Sequence, residues 1–309
     1  MKFSIVTPAY NEEDRIEKCI NSVRRQIFDD FEMIIIDDGS VDGTSDKVKK
    51  FTSIDERIKL IQLSENVGLT AAKNVALDQV KGDYLVFVDA DDWILPNMLS
   101  DLAEQLNNYV DIDMFRLKGR KVFSRDEDPA PDPDYEISLS TPVDLIRENK
   151  MSGYMHNLVV KNSIVQSNHI RFTPGRVVLE DQEFTMKCMV YSSNILYYTK
   201  KNYLYFQRPG SLSNNVKTEQ IPDIIECATN VYECAQNRFT GDKLHSFRDY
   251  TIIKCNQFLK AVLRDRDFPP EQVKAYMNTF FNKVNLPFHI RAMQSLKLIP
   301  VQVAKRVGF

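Results

Sequence analysis

The chain has 309 residues, 43% hydrophobic and 27% charged, and its 40 basic and 43 acidic residues leave a net charge of −3. That length is roughly two domains' worth, and the composition is that of a globular chain, which excludes a disordered, collagen-like or coiled-coil protein. The near balance of charge supplies no global field for nucleic acid.

Phe3–Thr7 reads as a short apolar strand ended by Pro8, and Asn11 is placed to cap a helix whose first turn holds Glu12, Glu13 and Asp14. The apolar residues Ile16, Cys19, Ile20, Val23 and Ile27 keep helical spacing. Phe31–Ile36 is a nearly unbroken apolar run, as expected of a central strand covered on both faces. The turn Asp37–Ser40 breaks it, and Thr44–Phe51 reads as the next helix. A third strand over Ile58–Leu63 and a helix over Leu69–Val80 follow. A fourth strand spans Tyr84–Val88, and a helix opens at Pro96 and runs to about Tyr109. Strands separated by helices of about 10–15 residues argue for a parallel, doubly wound sheet, which binds ligands beyond the carboxyl ends of its strands.

The stretch Asp126–Asp134, rich in acid and proline, reads as an exposed connector, with an acceptor-side flap as the second reading. Helices are expected near Pro142–Glu148 and over Gln182–Tyr191, and two aromatic strands over Ile195–Tyr198 and Tyr203–Gln207. From Glu219 the pattern is mainly helical, with breaks at Gly241, Pro269–Pro270 and Pro287. The expected domains are 1–215, in two halves 1–110 and 111–215, and a helical region 216–309.

Five scattered cysteines form no CxxC pair, and the histidines 156, 169, 245 and 289 form no metal-spaced set. Neither a zinc site nor a disulfide framework is indicated, and free thiols of a reducing compartment are expected. No GxGxxG follows the first strand and no GxxxxGK[ST] is present, which excludes a Rossmann dehydrogenase and a P-loop kinase. Phe3–Val6 is too short for a secretory core, and no run approaches the roughly 18 apolar residues that span a bilayer. A cytoplasmic protein with at most a peripheral contact on the inner face of the membrane is expected.

Four polar turns should converge on one rim: Pro8–Asn11, Asp37–Asp38, Asn66–Gly68 and Asp89–Asp92. Asp89 and Asp91, two residues apart at a strand's end, are paired hard oxygen ligands that suit Mg²⁺ or Mn²⁺ shared with substrate phosphates.

The segments Ile5–Asn11 (IVTPAYN), Ile36–Thr44 (IDDGSVDGT), Asn66–Asn74 (NVGLTAAKN) and Val88–Trp93 (VDADDW) stand in order and at familiar spacing. In them the chain resembles glycosyltransferase family 2, inverting enzymes of the GT-A fold that use nucleotide-activated sugars. The likeness covers the first hundred residues and continues more loosely from Tyr154 to Ser213. It implies a Rossmann-like, mostly parallel sheet with a mainly helical C-terminal extension, and a Mn²⁺- or Mg²⁺-dependent transfer, EC 2.4.

The same likeness implies site residues. Pro8, Ala9 and Tyr10 pack on the base and ribose with Glu12 beside the ribose, and Asp38 accepts from a uracil N3–H, which favours a UDP-sugar. Asn66, Gly68 and Ala90 belong to the same nucleotide-sugar surface. Asp89 faces the ribose or the metal, and Asp91 is the principal metal ligand. Lys73, where the family often has Arg, is left a diphosphate contact. Glu180–Phe184 (EDQEF) resembles the acceptor segment, with Asp181 the catalytic base and Glu180 the fallback. His156–Asn157 stands where Trp-Asn is usual. Tyr205–Ser213 resembles a closing segment that offers Arg208 and Ser211 to the diphosphate.

The function so implied is sugar transfer to a saccharide or lipid-linked acceptor in cell-surface polysaccharide synthesis. The reading from a different class is an inactive nucleotide-sugar-binding or scaffold subunit of a polysaccharide assembly complex. A homo-oligomer stays open. After Glu271 the chain has no acid, while Lys274, Lys283, Arg291, Lys297, Lys305 and Arg306 remain. Such a basic amphipathic tail suits either an anionic membrane surface or docking on protein.

Overall fold

The computed structural model describes residues 2–127, 129–130, 133–151, 153–207, 220–262, 275, 278–279 and 281–283. They form two compact units, Met1–Arg176 with Glu180–Pro209 and Val177–Leu179 with Gly210–Phe309. The expected breaks at Pro269–Pro270 and Pro287, and all the cations of the basic tail but Lys283, lie outside the described residues.

The first unit is built on a sheet of nine strands. β1 (Phe3–Ala9), β2 (Phe31–Asp37), β3 (Ile58–Gln62) and β4 (Tyr84–Phe87) are mutually parallel in the order β3-β2-β1-β4. α1 (Ile16–Arg24), α2 (Thr44–Thr52) and α3 (Leu69–Leu77) are the crossovers between them. β2 lies between two strands, and all seven of its residues are buried, which is why its sequence is an unbroken apolar run.

Two details differ from expectation. β1 does not stop before Pro8: it stays in register with β2 through Pro8 and Ala9, while β4 pairs only with Phe3–Val6. Pro8 therefore sits where one side of the strand needs no N–H, the setting in which a sheet accepts proline. Asn11 does not cap α1, which begins five residues later without a side-chain cap. Instead Asn11 adopts φ 54°, takes its N–H to Ser40 Oγ at 2.9 Å and accepts from Val41 N at 3.0 Å, tying the first turn to the second. α1 ends at Arg24, so Ile27 falls outside it and is 69% exposed.

The rest of the unit carries β5 (Trp93–Ile94), α4 (Met98–Asn108), β6 (Met114–Val122), β7 (Ile137–Ser140), α5 (Pro142–Arg147), β8 (Leu158–Lys161), α6 (Asn162–Ser167), α7 (Glu180–Tyr191) and β9 (Ile195–Phe206). β8 enters antiparallel between β4 and β6, β6 and β9 run parallel, and β5 and β7 pair antiparallel with β9. The expected pair of aromatic strands is thus one strand of twelve residues, with a register shift against β6 between Leu117 and Gly119. The resulting architecture is a mixed α/β sheet whose parallel half is doubly wound. Thr141 and Asp144 close a capping box at the start of α5.

In the second unit α8 (Ile221–Gln236) buries Ile221, Ile224, Ala228, Val231 and Ala235, and α9 (Gly241–Val262) buries Phe247, Tyr250 and Cys255. Gly241, at φ 57°, opens α9 in a backbone conformation that favours glycine. Phe239 stacks on Phe247 with centroids 5.2 Å apart. All five cysteines are free. Among the described residues no helix is long and apolar enough to cross a membrane.

Candidate active site

The four polar turns do meet beyond the carboxyl ends of β1, β2 and β4, and hydrogen bonding fixes each. At the end of β2, Asp37 is fully buried and accepts from Ser40 N at 2.9 Å and from Ser45 Oγ. Asp38 accepts from Val67 N at 2.7 Å and Gly68 N at 3.0 Å, so its two oxygens hold the third turn against the second. A carboxylate has about four lone-pair sites, so room for one further donor remains. Gly39, at φ 69°, permits the approach: a Cβ there would lie 2.5 Å from the Glu65 carbonyl carbon and 2.7 Å from Asn66 N. Of the first turn, Pro8 and Ala9 are buried within β1 and only Tyr10, 45% exposed, presents its side chain to solvent. Ala90 likewise packs into the core, so its backbone alone faces the rim. Glu12 is paired with Arg15.

Beyond β4 lies the acidic turn Asp89–Asp92, closed by Asp92 N to Asp89 O at 3.0 Å. Burial pushes the Asp89 carboxyl up to about 7; Lys73 opposes this, while Asp181, Asp91 and Glu12 reinforce it. Burial and the neighbouring Asp181 push Glu180 up to about 7 as well, again against Lys73. The excess negative charge is all on carboxylate oxygens, the donor set of a hard divalent cation. Among the described residues no three His, Cys, Asp or Glu side chains stand close enough to enclose an ion. Asp89 and Asp91 therefore suit the arrangement in which one or two carboxylates share a cation with substrate phosphates and water.

Lys73, expected at the diphosphate, is 2% exposed and donates from Nζ to Asp181 Oδ1 at 2.8 Å. Burial alone would lower its affinity for a proton, but Asp181, Asp89 and Glu180 outweigh it and hold the ammonium above the usual lysine range. Asp181 Oδ2 accepts from Met155 N at 3.4 Å. Leu179, immediately before α7, takes φ 60°, a strained turn for a branched side chain.

Two residues of this rim, Asp92 and His156, were named from the sequence without the contacts that define their roles. Asp92 is fully buried, accepts from Tyr203 Oη at 2.7 Å and Phe206 N at 2.8 Å, and Tyr203 Oη in turn accepts from Asp89 N at 3.1 Å. This relay fixes the acidic turn on β9, and Asp92's place inside VDADDW was the signal. Second, His156 lies in a column of rings, stacked on Tyr154 at 5.2 Å and on Tyr205 at 4.9 Å. Burial lowers its pKa to about 4, with Arg116 and Lys121 acting the same way against Asp181, so the imidazole is neutral at pH 7. A Cβ on Gly119 would lie 2.9 Å from His156 Cδ2, so glycine there admits the ring. Arg208 and Ser211 lie outside the described residues.

With this geometry the chain was compared with known proteins. The model for Glycosyl transferase family 2 matches residues 4–163, just over half of the chain. The chain belongs to that family.

A curated relative, the poly(ribitol-phosphate) beta-N-acetylglucosaminyltransferase TarS of Staphylococcus aureus (strain MW2), is 31% identical over 97% of this chain and 52% of its own length. The poly(ribitol-phosphate) beta-glucosyltransferase of Bacillus spizizenii is 30% identical over 89% of this chain and 41% of its own. The chain spans from about a third to three fifths of the length of these and similar curated relatives. A crystal structure of S. aureus TarS 1-349 in complex with UDP-GlcNAc superposes with a TM-score of 0.73 at 24% identity, covering 92% of this chain and 82% of that one. That likeness establishes the fold, GT-A.

Proposed function

We propose that this chain transfers a sugar from a UDP-sugar to a hydroxyl of a cell-wall polymer or lipid-linked saccharide, with inversion, using Mn²⁺ or Mg²⁺ held by Asp91 and Asp89. The observation that carries the reading is the gathering of Asp89, Glu180 and Asp181 around one buried lysine at the rim of the parallel strands. Asp38, with acceptor capacity left after two backbone amides, is assigned to the uracil N3–H, Tyr10 to the face of the base, and Glu12 to the ribose. Asn66 and Gly68 line the same surface, and Arg208 and Ser211 are assigned to the diphosphate from sequence alone.

Asp91 and Asp89 would hold the divalent cation, which when bound would offset charge on the diphosphate leaving group. The acceptor hydroxyl gives its proton to Asp181 as its oxygen attacks the anomeric carbon opposite the departing phosphate. One displacement with one base inverts the centre. Glu180, at about 7, has the basicity of a general base, but Asp181 has the fixed position, and geometry ranks first. The UDP assignment is supported by TarS, solved with UDP-GlcNAc and with UDP. The acceptor class is supported by the two poly(ribitol-phosphate) transferases. The basic tail is assigned a contact with an anionic membrane surface.

A thermal-shift screen of UDP, UDP-GlcNAc and UDP-glucose with and without Mn²⁺ tests the donor class, since a ligand at 100 times its Kd stabilises by about 2.7 kcal/mol. Asp181→Asn should leave UDP affinity nearly unchanged and cut transfer by at least about 10²-fold. Loss in Glu180→Gln with unaltered turnover in Asp181→Asn moves the base to Glu180. A chain that binds UDP-sugars and turns none over is the scaffold subunit instead.

A further inference from the structure

We infer that one face of α3, formed by Thr70, Lys73 and Asn74, is a clamp that positions the base, and that Lys73 acts through Asp181 rather than on the donor phosphates. The inference rests on the assignment of Asp181 as base.

Positions i, i+3 and i+4 of a helix share one face, and these three side chains reach along a single segment of the chain. Thr70 Oγ1 accepts from Gly175 N at 3.1 Å. Asn74 makes a double bond pattern with Phe172: its Nδ2 donates to Phe172 O at 2.9 Å and its Oδ1 accepts from Phe172 N at 2.9 Å. Lys73 Nζ, between them, reaches Asp181 at 2.8 Å and lies 5.0 Å from the centre of the Phe172 ring. The segment that delivers α7 is thus held at Phe172, Gly175 and Asp181 by consecutive turns of one helix.

Aromatic packing sets the distance between this clamp and the acidic turn. Phe172 stacks on Phe184 of α7 at 4.2 Å with the planes 6° apart, and both rings meet the edge of Phe87 on β4, at 6.0 Å and 5.7 Å. Phe87 stands two residues before Asp89, so one cluster of three rings packs α7 and Phe172 on the end of β4, and the Asn74–Phe172 hydrogen bonds tie α3 to it. Held by Lys73 on Oδ1 and by the Met155 amide on Oδ2, the Asp181 carboxylate keeps one lone pair on each oxygen for an incoming hydroxyl. A lysine contacting phosphate needs solvent-side access; at 2% exposure the ammonium is spent beneath the base.

A double-mutant cycle separates the two roles. UDP affinity is measured by calorimetry, and turnover as hydrolysis of UDP-GlcNAc and UDP-glucose with Mn²⁺, for the wild type, Lys73→Gln, Asp181→Asn and the double variant. Misplacing a reacting group by about 1 Å costs on the order of 10²-fold. Lys73→Gln should therefore lower kcat about that much with UDP affinity within about threefold, and add less than about threefold to Asp181→Asn. Lys73→Arg, which keeps the cation, should recover most of kcat, and Asn74→Ala, which leaves the buried charge in place, should lower kcat without weakening UDP. Multiplicative losses in the double variant, or UDP affinity falling in step with kcat, overturn the inference and make Lys73 a phosphate contact. Unchanged kcat in Lys73→Gln also overturns it. A wild type that turns over neither donor, or an Asp181→Asn variant as fast as wild type, overturns the functional reading first and this one with it.

Discussion

Replacing His156 with Phe keeps a flat aromatic ring between Tyr154 and Tyr205 and removes the imidazole. The consequence follows from proton binding. In the unfolded chain a histidine takes up a proton as pH falls through its ordinary value of 6.5, whereas in the fold His156 does so only near 4, chiefly because it is buried. Between those values the unfolded state binds more protons, so stability rises with pH across the window and is lost as the solution is acidified. At pH 5 the difference amounts to about 2 kcal/mol, and at pH 7.5 to about 0.1. His156→Phe should therefore gain about 2 kcal/mol on the wild type between pH 7.5 and pH 5, roughly 4–8 °C in Tm. The readout is the difference between the two melting curves at each pH, which cancels every other titrating group. Parallel pH profiles for the two proteins would show that the ring column admits the charged imidazole, and the burial argument would fail.

Gly39→Ala should lose about 2 kcal/mol or more, because φ is 69° and the new methyl meets backbone atoms of Glu65 and Asn66 at under 3 Å. UDP affinity should fall with it, since the same displacement pulls Val67 and Gly68 from Asp38; a melt and a UDP titration check both. Asp89 and Glu180 are each pushed up to about 7, so the folded chain holds protons that the unfolded chain has released. Metal-free stability should then decline from about pH 4 to pH 7, and Mn²⁺ with UDP should restore more at pH 8 than at pH 5.5. Equal stabilisation by Mn²⁺ at both pH values would remove Asp89 from the proposed cation's ligands.

The parallel half of the sheet was legible because period and burial agree there. Phe31–Ile36 is apolar on both faces, as a strand between two neighbours must be, and the helices at Thr44 and Leu69 begin where their spacing places them. The second half was legible only in part: α5, α7 and the span of β9 were read, whereas β6, β7 and β8 were not. β6 reads MFRLKGRKV, with four cations in nine residues, and nothing in that pattern suggests that Arg116 is buried. Its guanidinium is accommodated by carbonyls of Leu117 and Asn157, at 2.5 and 3.2 Å, and Asn157 arrives from 41 residues downstream. β7 and β8, four residues each, were too short to show a period. Among site residues, the turns at Asp37–Asp38 and Asp89–Asp92 stood out as strand ends. The partner of Lys73 did not, because the ion pair joins positions 108 residues apart.

Hydrogen-bond accounting separates the acids of the rim into two groups that look alike in sequence. Asp37 is satisfied by Ser40 and Ser45, Asp42 by Thr44 and the Glu13 amide, and Asp92 by Tyr203 and Phe206, while Asp38 holds two backbone amides and keeps acceptor capacity for one more donor. Each of these pairs joins segments distant in the chain or closes a turn, which is work that holds the loops in place. Asp89 and Glu180 stand apart: both are pushed up to about 7, and the cation that opposes this in each case is the same Lys73. One ammonium that is already committed to Asp181 leaves them short of positive charge. Such an arrangement is one that a ligand completes, and under the proposed function a divalent cation held by Asp91 and Asp89 would supply the missing positive charge at that point of the rim.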